Sequence, residues 1–559
     1  MADTRTPQTL RERVLQRKAA LYQERSSWEA HWREINIYQM PRAGRFLTSD
    51  KNRGEKKHNH INDNTAGKSL LTLEAGMMSH VTSPARPWFR TTIKDKQLAE
   101  AGAVKAWLHE VNELLRRIFA VSNTYNTLQG MYSELGAFGT AADFVLPDFE
   151  NVIHHYPMTI GEYALATNHK GVVDIIVREY EMTVAQIVGN FGLTNVSQSV
   201  KNMWDTNKFE QMVPVIHLVQ PRTNRNSQAL DNKNMAFESV YIESGAEKET
   251  SALRESGFKR FPALTPRWDG KDVYGSSPGM ACLGDVKQLQ HQQLRKSQAI
   301  DYQVNPPLQI PVGYKGHADA RLPGGVFFVD ATGAGQGVRS AFEVNLDLGA
   351  LREDIMDVRE RIRSAYYADL FLMLANDQRS NVTATEVAER HEEKLLALGP
   401  VLERLHNEML SPLIDITFDA AAEAGILPPA PPELQDMELD IEFVSTLAQA
   451  QKMVASQAID SVVQRVMTMA QTWPEVLHKI DPLQIVDDLS DMYGINPKVV
   501  VPDDIVQKKM EEDAQAMAAQ QAAAAAPIAA DAAKALGDTD AANIEDVMSR
   551  LQGYGSTAG

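Results

Sequence analysis

Several stretches of this 559-residue chain carry residue types at spacings that chemistry uses. Asn62-Asp63-Asn64-Thr65-Ala66-Gly67-Lys68-Ser69 ends like a phosphate-binding loop, whose backbone N–H groups and lysine cradle phosphates. That loop needs a glycine where Asn62 stands, to make its tight nest, and a strand before it. Lacking both, the stretch reads as a helix start capped by Asp63 or Asn64. Gly275-Ser276-Ser277-Pro278-Gly279 has the letters of a nucleophile elbow, a strained strand-to-helix turn that exposes a serine. Pro278 fits such a turn poorly and no convincing Asp…His order follows, so the stretch reads as a loop. His391-Glu392-Glu393-Lys394-Leu395 lacks the second histidine of a zinc-protease helix. His58/His60 and His154/His155 are close pairs with no obvious third ligand, and read as surface histidines. Cys282 is the single cysteine and reads as a packed thiol; alone it excludes an intrachain disulfide or a multi-cysteine metal site. No catalytic residue, metal or cofactor is expected.

Composition sets the frame for these residues. Hydrophobic residues make up 43% and charged residues 23%, ordinary globular values. The N-terminus has no apolar signal core, and no apolar run is long enough to span a membrane, so a protein of a reducing compartment is expected. Net charge is −17, unevenly spread. Residues 1–60 carry 13 Lys/Arg against 7 Asp/Glu, residues 426–510 carry 6 against 13, and residues 511–559 carry 2 against 8. Acidic surfaces keep such a chain soluble, and phosphate binding, which needs Lys and Arg, is at most local.

Elements follow from apolar spacing. Residues 8–40 read as a helix with Leu10, Val14, Leu21, Trp28, Trp32, Ile35 and Tyr38 in a rough stripe, ended by Pro41. Residues 42–60 read as a basic, mobile loop; helices are expected at 63–82 and 98–120. Between 144 and 266, short β-prone runs (Phe144–Leu146, Val152-Ile153, Tyr163–Leu165, Val172–Val177, Val213–Val219, Ser239–Ile242) predict a mixed or antiparallel sheet. A short helix, Thr183–Phe191, lies among them. Asp285–Gln303 reads as a polar helix stopped by Asn305-Pro306-Pro307. Leu308–Val312 and Val326–Val329 read as strands around a turn-rich loop. Leu351, Ile355, Val358, Ile362 and Leu370 predict one helix from about Leu348 to Leu374, roughly 40 Å long. After the polar loop 376–381, Thr383-Ala384-Thr385-Glu386 resembles a capping box that opens a helix to about Ala424, kinked at Gly399-Pro400. The run Pro428-Pro429-Ala430-Pro431-Pro432 reads as a rigid linker, and 447–495 as helical. The segment 511–559, with 17 alanines, reads as low complexity, weak helix or disorder.

The order of these elements resembles the portal, or head-to-tail connector, proteins of tailed bacteriophages, in the short-tailed (podovirus-type) branch. The residues behind the likeness run along the chain. They are Leu21-Tyr22-Gln23-Glu24-Arg25 with Trp28, Trp32 and Tyr38-Gln39-Met40-Pro41, then Ser83-Pro84-Ala85-Arg86-Pro87-Trp88-Phe89. Further on come Pro278-Gly279-Met280, Asn305-Pro306-Pro307, Arg321-Leu322-Pro323-Gly324-Gly325 and Asn381-Val382-Thr383-Ala384-Thr385-Glu386-Val387. The likeness covers about residues 8–500.

The resemblance implies a mainly α fold with an α+β wing, assembled as a ring, usually of twelve subunits, at one capsid vertex. The wing would be 1–280 with the kinked helix 383–425, the two-helix stem 281–305 and 347–374, the small β-containing clip 306–346, and the helical crown 426–510. The loop 375–382 would be a tunnel loop facing double-stranded DNA through Asn376, Asp377, Gln378, Arg379, Ser380 and Asn381. Lys287, Arg295, Lys296, Arg352, Arg359 and Arg363 would be stem or channel charges. Lys315, His317 and Arg321 in the clip would dock the terminase large subunit and then a tail adaptor. Further copies of itself and major capsid and scaffold proteins complete the implied partners, with no membrane. The implied location is the virion, with the host cytoplasm during assembly. Residues 281–372 carry 10 basic and 11 acidic residues, a balance that suits a channel through which DNA must slide. Two alternatives stay open on the residues alone: another structural virion protein, scaffold or tail adaptor, and a DNA-packaging ATPase.

Overall fold

The computed structural model describes residues 9–46, 54, 56–95, 98, 102–226, 228–229, 231–247, 252–311, 325–329, 339–340, 348–376, 398–434, 439–443, 462–470, 473, 475–476, 482–486, 506 and 508–519. The chain divides into two compact units. The first comprises residues 1–92, 108–430 and 439–455, the second 93–107, 431–438 and 456–559. In the second unit the described residues include helical runs at 462–470, 482–486 and 508–519. The last of these reaches into the alanine-rich segment.

In the first unit, α1 (Leu10–Tyr38) opens with a capping box in which the Thr9 side chain accepts from the Glu12 backbone and Glu12 answers the Thr9 N–H. Its apolar stripe buries Val14, Leu21, Trp32 and Ile35, as the spacing predicts. Arg11 and Arg25 are buried as well. Arg11 Nη2 donates to the carbonyls of Glu243, Ser244 and Ala246, and Arg25 Nη1 to those of Gly161 and Tyr163, both at 2.8 Å. Each guanidinium thereby takes up carbonyls that strand ends leave unpaired. α2 (Thr65–His80) follows, then β1 (Phe89–Ile93) and α3 (Gly102–Val121), whose residues 93 and 102–107 are counted with the second unit. Trp88 stacks on Phe119, and Phe89 meets both rings edge-on.

α4 (Thr124–Phe138) has no counterpart among the expected elements. Nearly every side is covered, so its sequence lacks the one-sided periodicity that betrays a surface helix. Gly136 is required there: a Cβ would come within 2.7 Å of Leu73 on α2. Beyond it, β2 (Ala142–Asp148) pairs antiparallel with β3 (Val152–Met158) and, at its start, with β9 (Ala263–Leu264).

The larger sheet is five-stranded and antiparallel. Its strands are β4 (Tyr163–Thr167), β5 (Val173–Thr183), β6 (Met212–Pro221), β7 (Phe237–Glu243) and β8 (Arg254–Phe258), in that order. Alternation sorts its two faces. Val177, Ile216, Leu218, Val240 and Ile242 pack with Val14 and Leu21 of α1. Val213 and Val215 face the other way, onto Val184, Ile187 and Phe191 of α5 (Val184–Phe191) and Val200 of α6 (Gln198–Asp205). The expected mixed or antiparallel sheet is thus antiparallel.

A single turn, α7 (Pro278–Ala281), leads into α8 (Leu283–Val304), which packs against α9 (Leu348–Ala365). Between them β10 (Leu308–Pro311) pairs in parallel with β11 (Val326–Val329) and antiparallel with β12 (Arg339–Ser340). The long helix expected over 348–374 is broken. Tyr367 takes φ +54°, and α10 (Ala368–Asn376) starts anew. A left-handed residue other than glycine costs about 1–2 kcal/mol. Tyr366, Leu370 and Phe371 are all buried around the break, and that burial offsets the cost. Phe371 seats where a Cβ on Gly76 of α2 would lie 2.2 Å from its ring.

The helical residues 398–405 run through a π turn, His406–Leu410, into α11 (Ser411–Glu423). Gly399 and Pro400 are helical, the turn before them lies outside the described residues, and the π irregularity begins about two turns after Pro400. A π turn carries one extra residue per turn, so it redirects side chains without proline.

Candidate channel-wall site

The structure assigns each chemical motif a place. Asp63, not Asn64, caps α2: its Oδ1 accepts from the Thr65 N–H at 2.8 Å and from the Thr65 hydroxyl. Ser277 Oγ donates to the Ala137 carbonyl at 2.6 Å and accepts from the Met280 N–H at 2.9 Å. Both its valences are used in capping α7, so the nucleophile-elbow letters spell a buried cap. Cys282 is buried, and desolvation pushes its thiol up to about 12. His155 corrects the surface reading. It is sealed in the core, with Nδ1 at 2.5 Å from Asp143 Oδ2 and Nε2 at 2.8 Å from Thr124 Oγ1. An acid–histidine–hydroxyl chain is the geometry of an activated nucleophile, but Thr124 and Asp143 are 0% exposed. No substrate reaches it, and it braces α4 against β2 and β3. His391 lies outside the described residues.

The stem charges fall into two groups. Lys287 on α8 pairs with Glu34 at 2.6 Å, and Arg295 donates to Gln298 Oε1 at 3.1 Å. Arg359 on α9 pairs with Asp63 Oδ2 at 2.6 Å. Lys296, Arg352 and Arg363 make no ion pair among the described residues. Asp63 ties the site together. Burial pushes its carboxyl up, but the hydrogen bonds from Thr65 and Arg359 and the arginine charge outweigh that and hold it below its ordinary value. Gln290 and Gln293 of α8 reach the same turn: Gln290 Oε1 accepts from the Asn62 and Asp63 N–H groups, and Gln293 Nε2 donates to Asp63 Oδ2. The start of α2 is therefore latched to both α8 and α9.

Beside the latch lies a cavity of about 400 Å³. Lys68, Thr72, Arg359, Arg363 and Leu372 are among its lining residues. Sequence reasoning missed Lys68 as a partner of the stem charges, because only the fold brings α2 beside α9. It also missed Arg267, which donates to Glu408 through Nε at 3.2 Å, Nη2 at 2.5 Å and its own N–H at 2.9 Å. That pair anchors the π turn to the chain leading into α7. Asn376 closes α10. Asp377, Gln378, Arg379, Ser380 and Asn381, and Lys315, His317 and Arg321, lie outside the described residues.

A family described as "Bacteriophage head to tail connecting protein" matches residues 11–500. The chain belongs to this family. Relatives of the chain include a probable portal protein of Bordetella phage BPP-1, 52% identical over 554 residues, 98% of this chain and 99% of the relative. The portal protein of Salmonella phage epsilon15 is 44% identical over 535 residues, 95% of this chain and 96% of that one. A chain from the virion of a native gene transfer agent particle aligns at 12% identity and a TM-score of 0.27, over 72% of this chain and 97% of that chain; a score so low carries no argument. Family membership and two relatives named as portal proteins support a phage portal role for the chain. Its helix-rich chain with small, mostly antiparallel sheets is compatible with that role.

Proposed function

We propose that copies of this chain close into a ring at one capsid vertex, around a channel for double-stranded DNA. DNA enters the head through it during packaging and leaves through it on ejection. The observation that supports this reading is kinship over nearly the whole chain with two proteins named for the portal role. The stem helices α8 and α9 form the channel wall by packing side to side with those of neighbouring copies. Lys296, Arg352 and Arg363 and the loop 376–381 offer weak, exchangeable phosphate contacts without sequence readout. The clip residues Lys315, His317 and Arg321 dock the terminase and then the tail adaptor, and capsid and scaffold proteins surround the wing.

Negative-stain electron microscopy of the purified chain tests the core of the proposal. Class averages along the symmetry axis should show rings of about twelve subunits with a hole of roughly 20 Å or more. Monomers or small closed oligomers across salt and concentration would count against it, and ATP turnover by the chain alone would point to the packaging-motor alternative.

A further inference from the structure

Residues 40–46 carry the chain out of α1 and into the stretch 42–60, where six Lys and Arg stand against two Asp and Glu. They are clasped onto the connection between β3 and β4. The Gly44 N–H donates to Thr159 Oγ1 at 2.8 Å, and the Arg45 N–H donates to the Ile160 carbonyl at 2.9 Å. Gly161, at φ +91°, lets the two segments touch: a Cβ there would lie 2.3 Å from the Arg45 carbonyl oxygen. Behind the clasp sits Glu134 of α4, which is buried. It bonds the same two residues. Its Oε1 accepts from the Thr159 hydroxyl at 2.6 Å, and its Oε2 accepts from the Ile160 N–H at 3.2 Å. Thr159 and Ile160 thus each join Glu134 to one amide of the departing chain.

The charged groups around Glu134 are committed elsewhere. Glu162, in the same connection, takes the Arg45 guanidinium and accepts from the Thr159 N–H at 3.2 Å. From α1, Arg25 Nη1 donates to the carbonyls of Gly161 and Tyr163, and Arg33 pairs with Glu29 and lies over the Phe46 ring at 4.7 Å. Tyr163 of β4 is buried, and its hydroxyl donates to the Thr140 carbonyl at 3.3 Å. Glu134 makes no ion pair among the described residues. Ionised, it is a dry negative charge near a second carboxylate, held by two hydrogen bonds; protonated, it is an uncharged acid that suits the same place. We propose that Glu134 is the proton switch of this clasp: protonated, it keeps residues 40–46 docked, and ionised, it loosens them. Loosening admits water to the carboxylate, which offsets the broken contacts. Burial pushes the Glu134 carboxyl up to about 7, and the Glu162 charge adds to the rise. The clasp therefore holds best at low pH and weakens as pH climbs through about 7.

Hydrogen exchange of the full chain, corrected for the intrinsic rate at each pH, is the test. Protection of the Gly44 and Arg45 amides should fall about tenfold between about pH 6 and pH 8. In Glu134→Gln, which cannot ionise, it should stay level. Low urea separates this local opening from unfolding of the whole region. The two amides should exchange at a rate that urea hardly changes, while amides of β6 that exchange only by global opening should speed up. Level protection in the wild type overturns the proposal. So does an equal fall in Glu134→Gln, or exchange of Gly44 and Arg45 only together with β6. Should Glu134→Gln melt early, Thr159→Val cuts the link to Gly44 alone. It should lower Gly44 protection and leave that of Arg45 falling with pH; Gly44 protection unchanged in this variant overturns the clasp.

Discussion

The α+β region and the α8–α9 helix pair handle their charged and apolar groups in opposite ways. Around the five-stranded sheet, α1 covers one face and α5 and α6 cover part of the other. Arg11, Arg25 and Arg267 are turned inward and matched to carbonyls or to Glu408. On α9 only the narrow stripe of Ile355, Val358 and Ile362 is fully buried, and Arg352, Glu353, Glu360 and Arg363 are left without ion pairs among the described residues. The first region is complete within one chain. The second leaves charges and large apolar side chains such as Met356 and Leu372 exposed.

The largest expected effect sits where inward charge is fully committed. Arg267→Ala leaves the half-buried Glu408 beside the π turn with Arg404 alone, and losing this largely buried pair should cost about 3 kcal/mol, the low end for a buried pair. Thermal unfolding should show a correspondingly large fall; a change under about 1 kcal/mol would mean that the region does not depend on its buried charges.

Next in size is a pH effect in the same region. Burial raises Glu134 to about 7, against hydrogen bonds from the Thr159 hydroxyl and the Ile160 N–H, with the Glu162 charge nearby adding to the rise. Its ordinary value is 4.5. The unfolded chain therefore gives up this proton at lower pH than the folded one. The stability contributed by the protonated group is complete below about 4.5 and is lost as pH climbs through about 7. Glu134→Gln cannot ionise and should flatten the melting profile between pH 5 and 8 by up to about 3 kcal/mol. An unchanged profile would remove Glu134 from the account.

The smallest effect is expected on the stem. Arg361 pairs with Asp285 at 3.2 Å and Asp357 at 3.4 Å, but is 48% exposed. Arg361→Ala should cost the isolated chain less than about 1 kcal/mol, because solvent screens such pairs. A loss as large as that of Arg267→Ala would erase the contrast between the two regions.

Much of this architecture was legible in the residues. The β-runs at 144–146, 213–219 and 239–242 fall within β2, β6 and β7, and the expected helix at Thr183–Phe191 is α5 with Thr183 as its cap. Those elements are runs of β-branched and apolar residues or carry a marked end, so composition and capping reveal them. What failed to show were features without such a local mark. α4 is covered nearly all round and carries no period. The break at Tyr366-Tyr367 interrupts an unbroken apolar stripe, because the buried Tyr366 ring, whose hydroxyl bonds Gln39, outweighs local helix preference. Histidine is a polar residue by type, and only the packing of α4 on β2 and β3 put His155 beside Asp143 and Thr124.

The candidate site divides along the same line. The linear sequence determined the order of the elements and the helix pair α8–α9 with its charged residues, because amphipathic spacing and charge are local properties. Which charges are spent was decided in three dimensions. Asp63 meets Arg359 across 296 residues of chain, and Lys68 joins Arg363 at one cavity only because Gly76 lets α10 come close to α2. Coulomb energy depends on distance and burial, neither of which a residue carries by itself, so the tertiary fold alone separated the neutralised arginines from the free ones.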